Sequence, residues 1–356
     1  AARVACLVQL LVLLGCASSG PPWLLFCCLA LAGTSLSLTV VTVSIVIKDA
    51  TPAGRRGLLL GAKQAAVPVA TSLVGLLVPL VGAGAGWRAA YLAAAAWPVV
   101  AAATTVGVRV PDAVAAAAPP PPKEVSSRDG ASLAMGVTGG IACVGTAALS
   151  TFFVPTMTHA GIGIGAAGLL LVVASGSSLV LRLVAGWAVD RSRRIARPGI
   201  AVLLAVSSLG YALMATQVPV LTGIGGVVGY VGWAWTGMAF FLALTPARGT
   251  TASATALVQA GFMAGMGAGP ILFGAALGIG GEPLAWWLTA LLGALSAAGA
   301  ALLALRLRAE PVPQDGQDVT ADGVDLLGDP VGVRAVGLQP QVERTGPAAV
   351  EVGGEA

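Results

Sequence analysis

The sequence predicts an all-α protein that crosses a membrane many times, and three observations carry that prediction. Of its 356 residues, 57% are hydrophobic and only 10% are charged, whereas a soluble domain is about 45–50% apolar and about 25% charged. The apolar residues form long uninterrupted runs, which argues against the alternating pattern of a membrane β-barrel. The basic residues lie in short clusters between those runs, as in membrane loops.

The apolar runs are numerous enough for ten transmembrane helices, because a bilayer core of about 30 Å takes roughly 20 helical residues. The first run is the shortest. The predicted spans are approximately 2–17, 22–47, 57–82, 87–108, 131–156, 165–187, 198–216, 219–245, 250–279 and 283–305.

Basic residues alternate between the two predicted sides of the membrane. When the connections are numbered from the residues before the first span, the odd ones and the C-terminal flank hold 14 Lys and Arg residues. The even connections hold only Arg88. The positive-inside rule therefore places the odd connections and both ends of this chain in the cytoplasm, with the spans in the cell membrane. Trp23, Trp87 and Trp286 then begin spans at the outer surface, which suits an amphipathic ring.

Four segments are predicted along the chain. Residues 1–108 form a first group of spans, and residues 131–308 form a second group. Between them, residues 109–130 are a polar linker that includes four consecutive prolines, a stiff extended stretch. Residues 309–356 hold 9 acidic and 2 basic residues and are expected to be a disordered acidic tail.

A repeat relates the two groups of spans. Thr51-Pro52 and Thr245-Pro246 are 194 residues apart, and Gln64 and Gln259 are 195 apart. Both copies enter the membrane from the same predicted side, so the repeat is parallel, which is one known transporter architecture. The offset predicts about 60 further residues upstream, enough for two helices at roughly 20 residues per span. That expectation weakens the alternative that residues 1–16 are a secretory signal.

Two stretches resemble the major facilitator superfamily. Residues 186–194 read Gly-Trp-Ala-Val-Asp-Arg-Ser-Arg-Arg, which resembles the cytoplasmic signature of that family, although Arg193 stands where a second Gly is expected. Residues 55–68 and the following Gly-Trp-Arg at 86–88 are similar to the fifth span and next loop of many bacterial members.

The resemblance implies a helical bundle of two parallel pseudo-repeats, with the ten spans equivalent to helices 3–12 of a chain that is incomplete at its N-terminus. It also implies a secondary active transporter that moves a small solute by alternating access, with a proton as a candidate coupling ion. The chain is expected to act as a monomer in the bilayer, without cofactor, metal or nucleic acid. A polytopic membrane enzyme and an inactive, incomplete transporter are the alternatives.

The signature stretch contains the predicted gating residues. Arg182, Gly186 and Asp190 are spaced four residues apart and therefore share one helix face. Gly186 would allow a neighbouring helix to approach closely, and Asp190 can cap or pair across that gap. Arg191 and Arg194 face the cytoplasm. In the family such loops act as a latch that forms in one orientation, whereas the simpler alternative is a basic loop that only sets topology.

A second set of candidates would line the solute pathway. In the family, the first and fourth helices of each half line the cavity, and these correspond here to the second, fifth and eighth spans. Hydroxyl and aromatic side chains there suit a small organic solute, although hydroxyls also bond the helix backbone. The candidates are Ser35, Thr39, Thr42, Thr146, Ser150, Phe153, Tyr230 and Trp233.

Polar residues near the predicted cytoplasmic gate complete the set. Lys63 and Arg182 are cations inside predicted spans. Burying an ionisable group there is costly, so such a residue either serves a function or extends its charged end toward the membrane surface. Gln64 and Gln259 occupy equivalent positions in the repeat. No acidic residue lies well inside a span, so a coupling carboxylate is expected in the upstream helices. Two buried cations without acids would also fit an anionic substrate.

Overall fold

The described part of the chain is entirely helical. The computed structural model describes residues 2–52, 55–104, 130–243 and 251–306, and no strand occurs within them. The predicted linker up to residue 129, the Thr245-Pro246 copy of the repeat and the predicted tail at 309–356 lie outside the described residues.

Eleven α-helices follow one another along these segments, together with a π-helical turn at Val78–Gly82 and a 3₁₀ turn at Arg193–Ile195. The α-helices are α1 Ala2–Ser18, α2 Pro22–Ala50, α3 Arg56–Leu77, α4 Ala83–Ala94, α5 Ala96–Thr104, α6 Gly130–His159, α7 Ile164–Arg191, α8 Ala196–Ala215, α9 Pro219–Gly232, α10 Trp235–Ala243 and α11 Thr251–Arg306.

Proline and glycine mark several helix boundaries. Pro22 and Pro219 begin α2 and α9, where the missing N–H of proline would have had no partner in the helix. Within α11, Gly281 adopts φ 70°, a left-handed conformation that favours glycine, and Pro283 follows it. The break falls between the predicted ninth and tenth spans, at 280–282.

Within the described residues, six helical stretches are long and apolar enough to cross a membrane: Arg56–Gly82, Gly130–His159, Ile164–Arg191, Arg193–Ala215, Pro219–Ala243 and Ala254–Arg306. Two shorter apolar helices, Arg3–Ser18 and Pro22–Gly33, accompany them. The Ala254–Arg306 stretch has 53 residues, roughly 80 Å at 1.5 Å per residue, which far exceeds one bilayer core. The protein therefore has several membrane-length helices, and the count of ten remains a prediction.

Helices α6 and α11 approach each other through glycine. A Cβ atom on Gly136 would meet the carbonyl oxygen of Leu257 at 2.9 Å, and one on Gly140 would meet the carbonyl oxygen of Gly261 at 2.8 Å. A Cβ on Gly265 would clash with the Gly140 carbonyl. The glycines of α11 at Gly261 and Gly265 thus form a helix-packing surface, because only a missing side chain lets the two backbones come so close.

Two clusters of buried side chains hold the helices from α6 onward together. One cluster gathers Trp235, Phe240 and Phe262 with Leu60 of α3. The other surrounds Trp286, whose ring centroid lies 4.7 Å from that of Phe273. Large apolar side chains also cover the outside of the bundle, which fits a surface that faces lipid rather than water.

Candidate functional site

The candidate site centres on the contact between α3 and α7, where an acidic side chain caps a helix. The carboxylate of Asp190, near the end of α7, accepts hydrogen bonds from the backbone N–H of Gly57 at 2.6 Å and of Leu58 at 2.8 Å. These N–H groups belong to the first turn of α3, where backbone N–H groups have no acceptor within the helix itself. The negative charge also lies at the positive end of the α3 dipole, so it stabilises the contact electrostatically.

Glycine makes this contact possible. A Cβ atom on Gly57 would meet the Gly186 carbonyl oxygen at 2.5 Å and the Asp190 carboxylate at 2.7 Å. One turn further along α3, a Cβ on Gly61 would meet the Arg182 carbonyl oxygen at 2.5 Å. Any side chain at these positions would push α3 and α7 apart and draw the carboxylate away from its donors.

The guanidinium of Arg182 forms a second tie two turns from Asp190. Its Nη1 donates to the carbonyl oxygen of Gln64 on α3 at 2.6 Å, and its Nη2 donates to the Trp233 carbonyl at 3.3 Å. Its Nε donates to Ser178 Oγ at 3.4 Å. The guanidinium carbon also lies 5.1 Å from the centroid of the Trp233 ring, within cation–π range. Arg182 therefore connects α3, α7 and the end of α9.

The spacing of four residues thus places Arg182, Gly186 and Asp190 on the face of α7 that contacts α3. Arg191 lies beside them with its guanidinium carbon 3.8 Å from the Trp187 ring centroid, and Arg194 is exposed in the 3₁₀ turn. Sequence reasoning did not identify Ser178, the residue one turn before Arg182. Extending the four-residue spacing by one step would have found it.

Of the predicted pathway residues of α2, only Ser35 is described in contact with another helix. Ser35 is buried and donates to the Ala5 carbonyl of α1 at 3.2 Å. Thr39 is exposed and donates to the Ser35 carbonyl at 2.9 Å. The side chain of Thr42 lies outside the described residues. The structure therefore gives Ser35 a helix-packing contact and Thr39 a bond within its own helix.

The candidates on α6 also pack inside the bundle. Thr146 is buried and donates to the Ala142 carbonyl at 2.9 Å, while the partly buried Ser150 donates to the Ala147 carbonyl at 3.0 Å. Phe153 is fully buried, with its ring centroid 5.6 Å from that of Tyr230. The hydroxyl groups thus bond their own helix, as the alternative interpretation anticipated.

The aromatic candidates on α9 lie next to Arg182. Tyr230 is fully buried, and its ring centroid is 5.6 Å from that of Trp233. No hydrogen-bond partner reaches the Tyr230 hydroxyl from the described part of the chain. Trp233 directly follows the last residue of α9, and its carbonyl accepts hydrogen bonds from Arg182 at 3.3 Å and from Thr236 Oγ1 at 3.5 Å. These side chains therefore join the site around Arg182.

The polar candidates near the predicted gate are divided between two places. Lys63 lies with its Nζ 5.3 Å from the Phe240 ring centroid, and Gln64 offers its carbonyl to Arg182. Gln259 is buried on α11, and its Oε1 has no hydrogen-bond partner among the described residues. Gln64 therefore belongs to the α3–α7 site, and Lys63 of the same helix contacts Phe240 of α10.

Two contacts far from this site were not anticipated. Arg88 Nη2 donates to the Ser19 carbonyl at 3.1 Å, in the turn between α1 and α2. At the other end of the chain, the His159 Nδ1 and Glu282 Oε1 atoms are 2.6 Å apart. The turns that meet through these contacts are distant in sequence, so only the folded chain reveals them.

Two cavities open between helices, and both are apolar. One, of about 240 Å³, lies between α6 and the two parts of α11, and Thr289 is the polar member of its lining. The other, of about 330 Å³, lies between the start of α7 and the start of α9. None of the predicted pathway residues lines either cavity. Among the described residues, no group of His, Cys, Asp or Glu could hold a metal ion.

Comparison with known proteins identifies the family. The sequence model of the Major Facilitator Superfamily matches residues 135–338, more than half of the chain. The structure is similar to that of the human organic anion transporter MFSD10 (TETRAN), with a TM-score of 0.59, 12% identity, and coverage of 84% of this chain and 76% of that one. It is also similar to the fucose:proton symporter FucP of Escherichia coli, with a TM-score of 0.58, 12% identity, and coverage of 85% and 84%. No curated protein sequence matches the chain significantly.

Proposed function

Because the chain belongs to the Major Facilitator Superfamily, we propose that it is a secondary active transporter that moves a small solute across the cell membrane by alternating access. Family membership and multi-pass apolar helices make the protein a membrane solute transporter rather than an enzyme. At 12% identity, the similarity to the two transporters is evidence for the fold only. Their substrates are therefore not assigned to this chain.

The observation that carries the mechanism is the capping of α3 by Asp190. A carboxylate bonded to two first-turn N–H groups at 2.6 and 2.8 Å forms a contact that is either made or broken, because its strength falls steeply with distance and angle. We assign this contact as the latch that holds the cytoplasmic ends of α3 and α7 together. Its release would let the two groups of spans, 1–108 and 131–308, separate on that side.

The proposed orientation is supported by which turns contact each other. The turn containing Ser19 meets Arg88, and both were predicted on the outer side. His159, at the end of α6, contacts Glu282, at the break in α11, and both were also predicted on the outer side. Asp190 and Gly57 were both predicted on the cytoplasmic side. Each contact thus joins connections that the charge pattern places on one side of the membrane.

In the proposed layout, the ten predicted spans correspond to helices 3–12 of a bundle of two parallel repeats. The break at Gly280 and Gly281 divides Thr251–Arg306 into two helical parts, which supports counting this stretch as two spans. We propose that the pathway candidates act together with Lys63, Gln64 and Gln259 once the latch opens. In the described state, most of these side chains are packed.

The test is solute flux in proteoliposomes that contain the purified full chain. The expected result is saturable uptake of at least one solute from a library of small organic acids, amides, amines and sugars. An imposed pH gradient then tests proton coupling, since acceleration of uptake by the gradient indicates that a proton is the coupling ion and unchanged uptake excludes the proton. Absence of flux with every solute, together with correctly folded protein, would overturn the transport function in favour of an inactive chain.

A matched pair of variants links flux to the latch. Asp190→Asn removes the charge from the latch but keeps the size of the side chain. Glu282→Gln makes the same chemical change far from α3. We expect Asp190→Asn to change the rate of flux and Glu282→Gln to leave the α3–α7 contact intact.

A further inference from the structure

No carboxylate in the described part of the chain forms an ion pair with Arg182 to balance its positive charge. The Arg182 side chain is 1% exposed. Its three acceptors are neutral, namely two backbone carbonyls and one hydroxyl. Burying an ion without a partner of opposite charge is costly, because neutral dipoles recover only part of the lost hydration. Such charges inside membrane helices are retained mainly for function.

A second polar group beside Arg182 also lacks a partner. The Tyr230 side chain is 0% exposed, and its hydroxyl makes no hydrogen bond with the described residues. Tyr230 and Arg182 are close enough to interact electrostatically, and both lie against the Trp233 ring. A buried hydroxyl without a partner is unfavourable, so its presence points to a ligand that it binds at another stage of the cycle.

The donors of the two side chains suit an anion. A guanidinium has five N–H donors, of which three reach the protein acceptors here, so two remain. The Tyr230 hydroxyl, which has no partner among the described residues, can add a third donor to these two. Carboxylate is the acceptor that a guanidinium fork matches best, and a flat solute could also lie against the aromatic rings of Tyr230 and Trp233.

We propose that Arg182 and Tyr230 form the recognition site for a carboxylate group of the transported solute. This inference rests on the proposed transport function and deepens it by naming the class of substrate, a small organic monoanion. Arg182 supplies the charge and two free N–H donors, and Tyr230 supplies a hydroxyl donor.

The same site couples solute binding to the latch. Arg182 Nη1 bonds the Gln64 carbonyl of α3, and Asp190 caps α3 two turns away on the same face of α7. A carboxylate is a stronger acceptor for a guanidinium than a peptide carbonyl. A carboxylate bound to the two free N–H donors therefore draws the guanidinium away from the Gln64 carbonyl, and it weakens the contact between α3 and α7 as it binds.

The experiment uses carboxylates and their primary amides as matched probes, from acetate and acetamide to benzoate and benzamide. Flux of each probe is measured in proteoliposomes containing the full chain. We expect at least one carboxylate to cross at a rate tenfold or more above its amide. Arg182→Gln should reduce that flux roughly ten- to hundredfold, in line with the loss of hydrogen bonds to a charged group. Arg182→Lys keeps the positive charge but loses the forked guanidinium, so its carboxylate flux should fall between those of the unaltered protein and Arg182→Gln.

Two further variants complete the design. Tyr230→Phe removes only the hydroxyl and should lower carboxylate flux several-fold, with an increase in KM. Arg306→Gln, which removes an exposed arginine at the end of α11, is the control and should leave the flux unchanged. Thermal unfolding of the ligand-free protein is measured for every variant. The midpoint of Arg182→Gln should stay close to that of the unaltered protein, since the relief of the desolvation cost of a buried charge offsets the loss of its three hydrogen bonds.

The outcomes separate this inference from transport itself. Flux of amides, sugars or amines without any carboxylate flux would overturn the anion site and leave transport standing. Carboxylate flux that survives in Arg182→Gln, with a lowered unfolding midpoint, would make Arg182 a structural tie instead. Absence of flux for every probe and every library solute would remove the transport function, and the inference with it.

Discussion

Replacement of Asp190 by Ala should loosen the first turn of α3 without unfolding the bundle. The carboxylate accepts hydrogen bonds from the N–H groups of Gly57 and Leu58 at 2.6 and 2.8 Å. Removing it leaves both donors without a partner and takes a negative charge away from the positive end of the helix dipole. The contact should therefore open more often.

The size of the effect follows from this geometry. Loss of a helix N-cap costs about 0.5–2 kcal/mol, and a hydrogen bond to a charged group contributes about 1.5–3 kcal/mol. Because the bond from Leu58 is exposed and that from Gly57 only partly buried, the lower part of these ranges applies. We expect a total of about 2–3 kcal/mol for Asp190→Ala, which shifts the opening equilibrium roughly 30- to 150-fold at 1.36 kcal/mol per factor of ten. Asp190→Asn retains one acceptor oxygen and should shift it by roughly fivefold to tenfold.

Hydrogen–deuterium exchange measured on the protein in lipid nanodiscs reports this equilibrium directly. The relevant peptide covers residues 56–62, whose first amide groups are the donors to Asp190. Exchange there should accelerate by the factors given above in Asp190→Ala and less in Asp190→Asn. The Glu282→Gln control should leave this peptide unchanged. Exchange within twofold of the unaltered protein in a folded Asp190→Ala variant would refute the assignment of Asp190 as the cap that holds α3.

The remaining predictions concern helix packing. Gly186→Ala should lower thermal stability by about 1–3 kcal/mol, because the new methyl would clash with the Gly57 carbonyl, whereas Gly176→Ala on the same helix has nothing within 4 Å and should have little effect on thermal unfolding. Gly265→Ala should lower thermal stability as much as Gly186→Ala, because the backbone of α6 lies directly against Gly265. An unchanged unfolding midpoint would contradict that close approach. Thr156→Val should cost about 1–3 kcal/mol, because the buried Trp286 indole N–H loses its acceptor at 3.1 Å.

The helix positions were largely predictable from the sequence. The second run was predicted at 22–47, and α2 spans Pro22–Ala50. The fifth was predicted at 131–156, and α6 spans Gly130–His159. These predictions work because a membrane helix satisfies its own backbone hydrogen bonds, so its position depends on local apolar content. The break at Gly281 was likewise anticipated as a loop, since glycine and proline mark it in the sequence.

The candidate site was only half predictable. The four-residue spacing identified the face of α7 that carries Arg182, Gly186 and Asp190. It could not identify the donors at Gly57 and Leu58, or the carbonyl of Gln64, because backbone groups look alike in every residue. Choosing the hydroxyls of α6 as pathway residues rested on residue type, and the fold shows Thr146 and Ser150 bonded to their own helix instead.

The sequence by itself determined that this protein is an all-α membrane protein, roughly where its helices lie and which face of α7 is specialised. Those properties follow from hydrophobicity and helical periodicity, which act over a few turns of one segment. Only the tertiary structure decided that α7 packs on α3, that Asp190 caps a helix remote in the chain, and that Arg182 and Tyr230 both lie beside the ring of Trp233. Inside a membrane, pairing between helices depends on the fit of small residues and on isolated polar contacts, and neither leaves a pattern within a single helix.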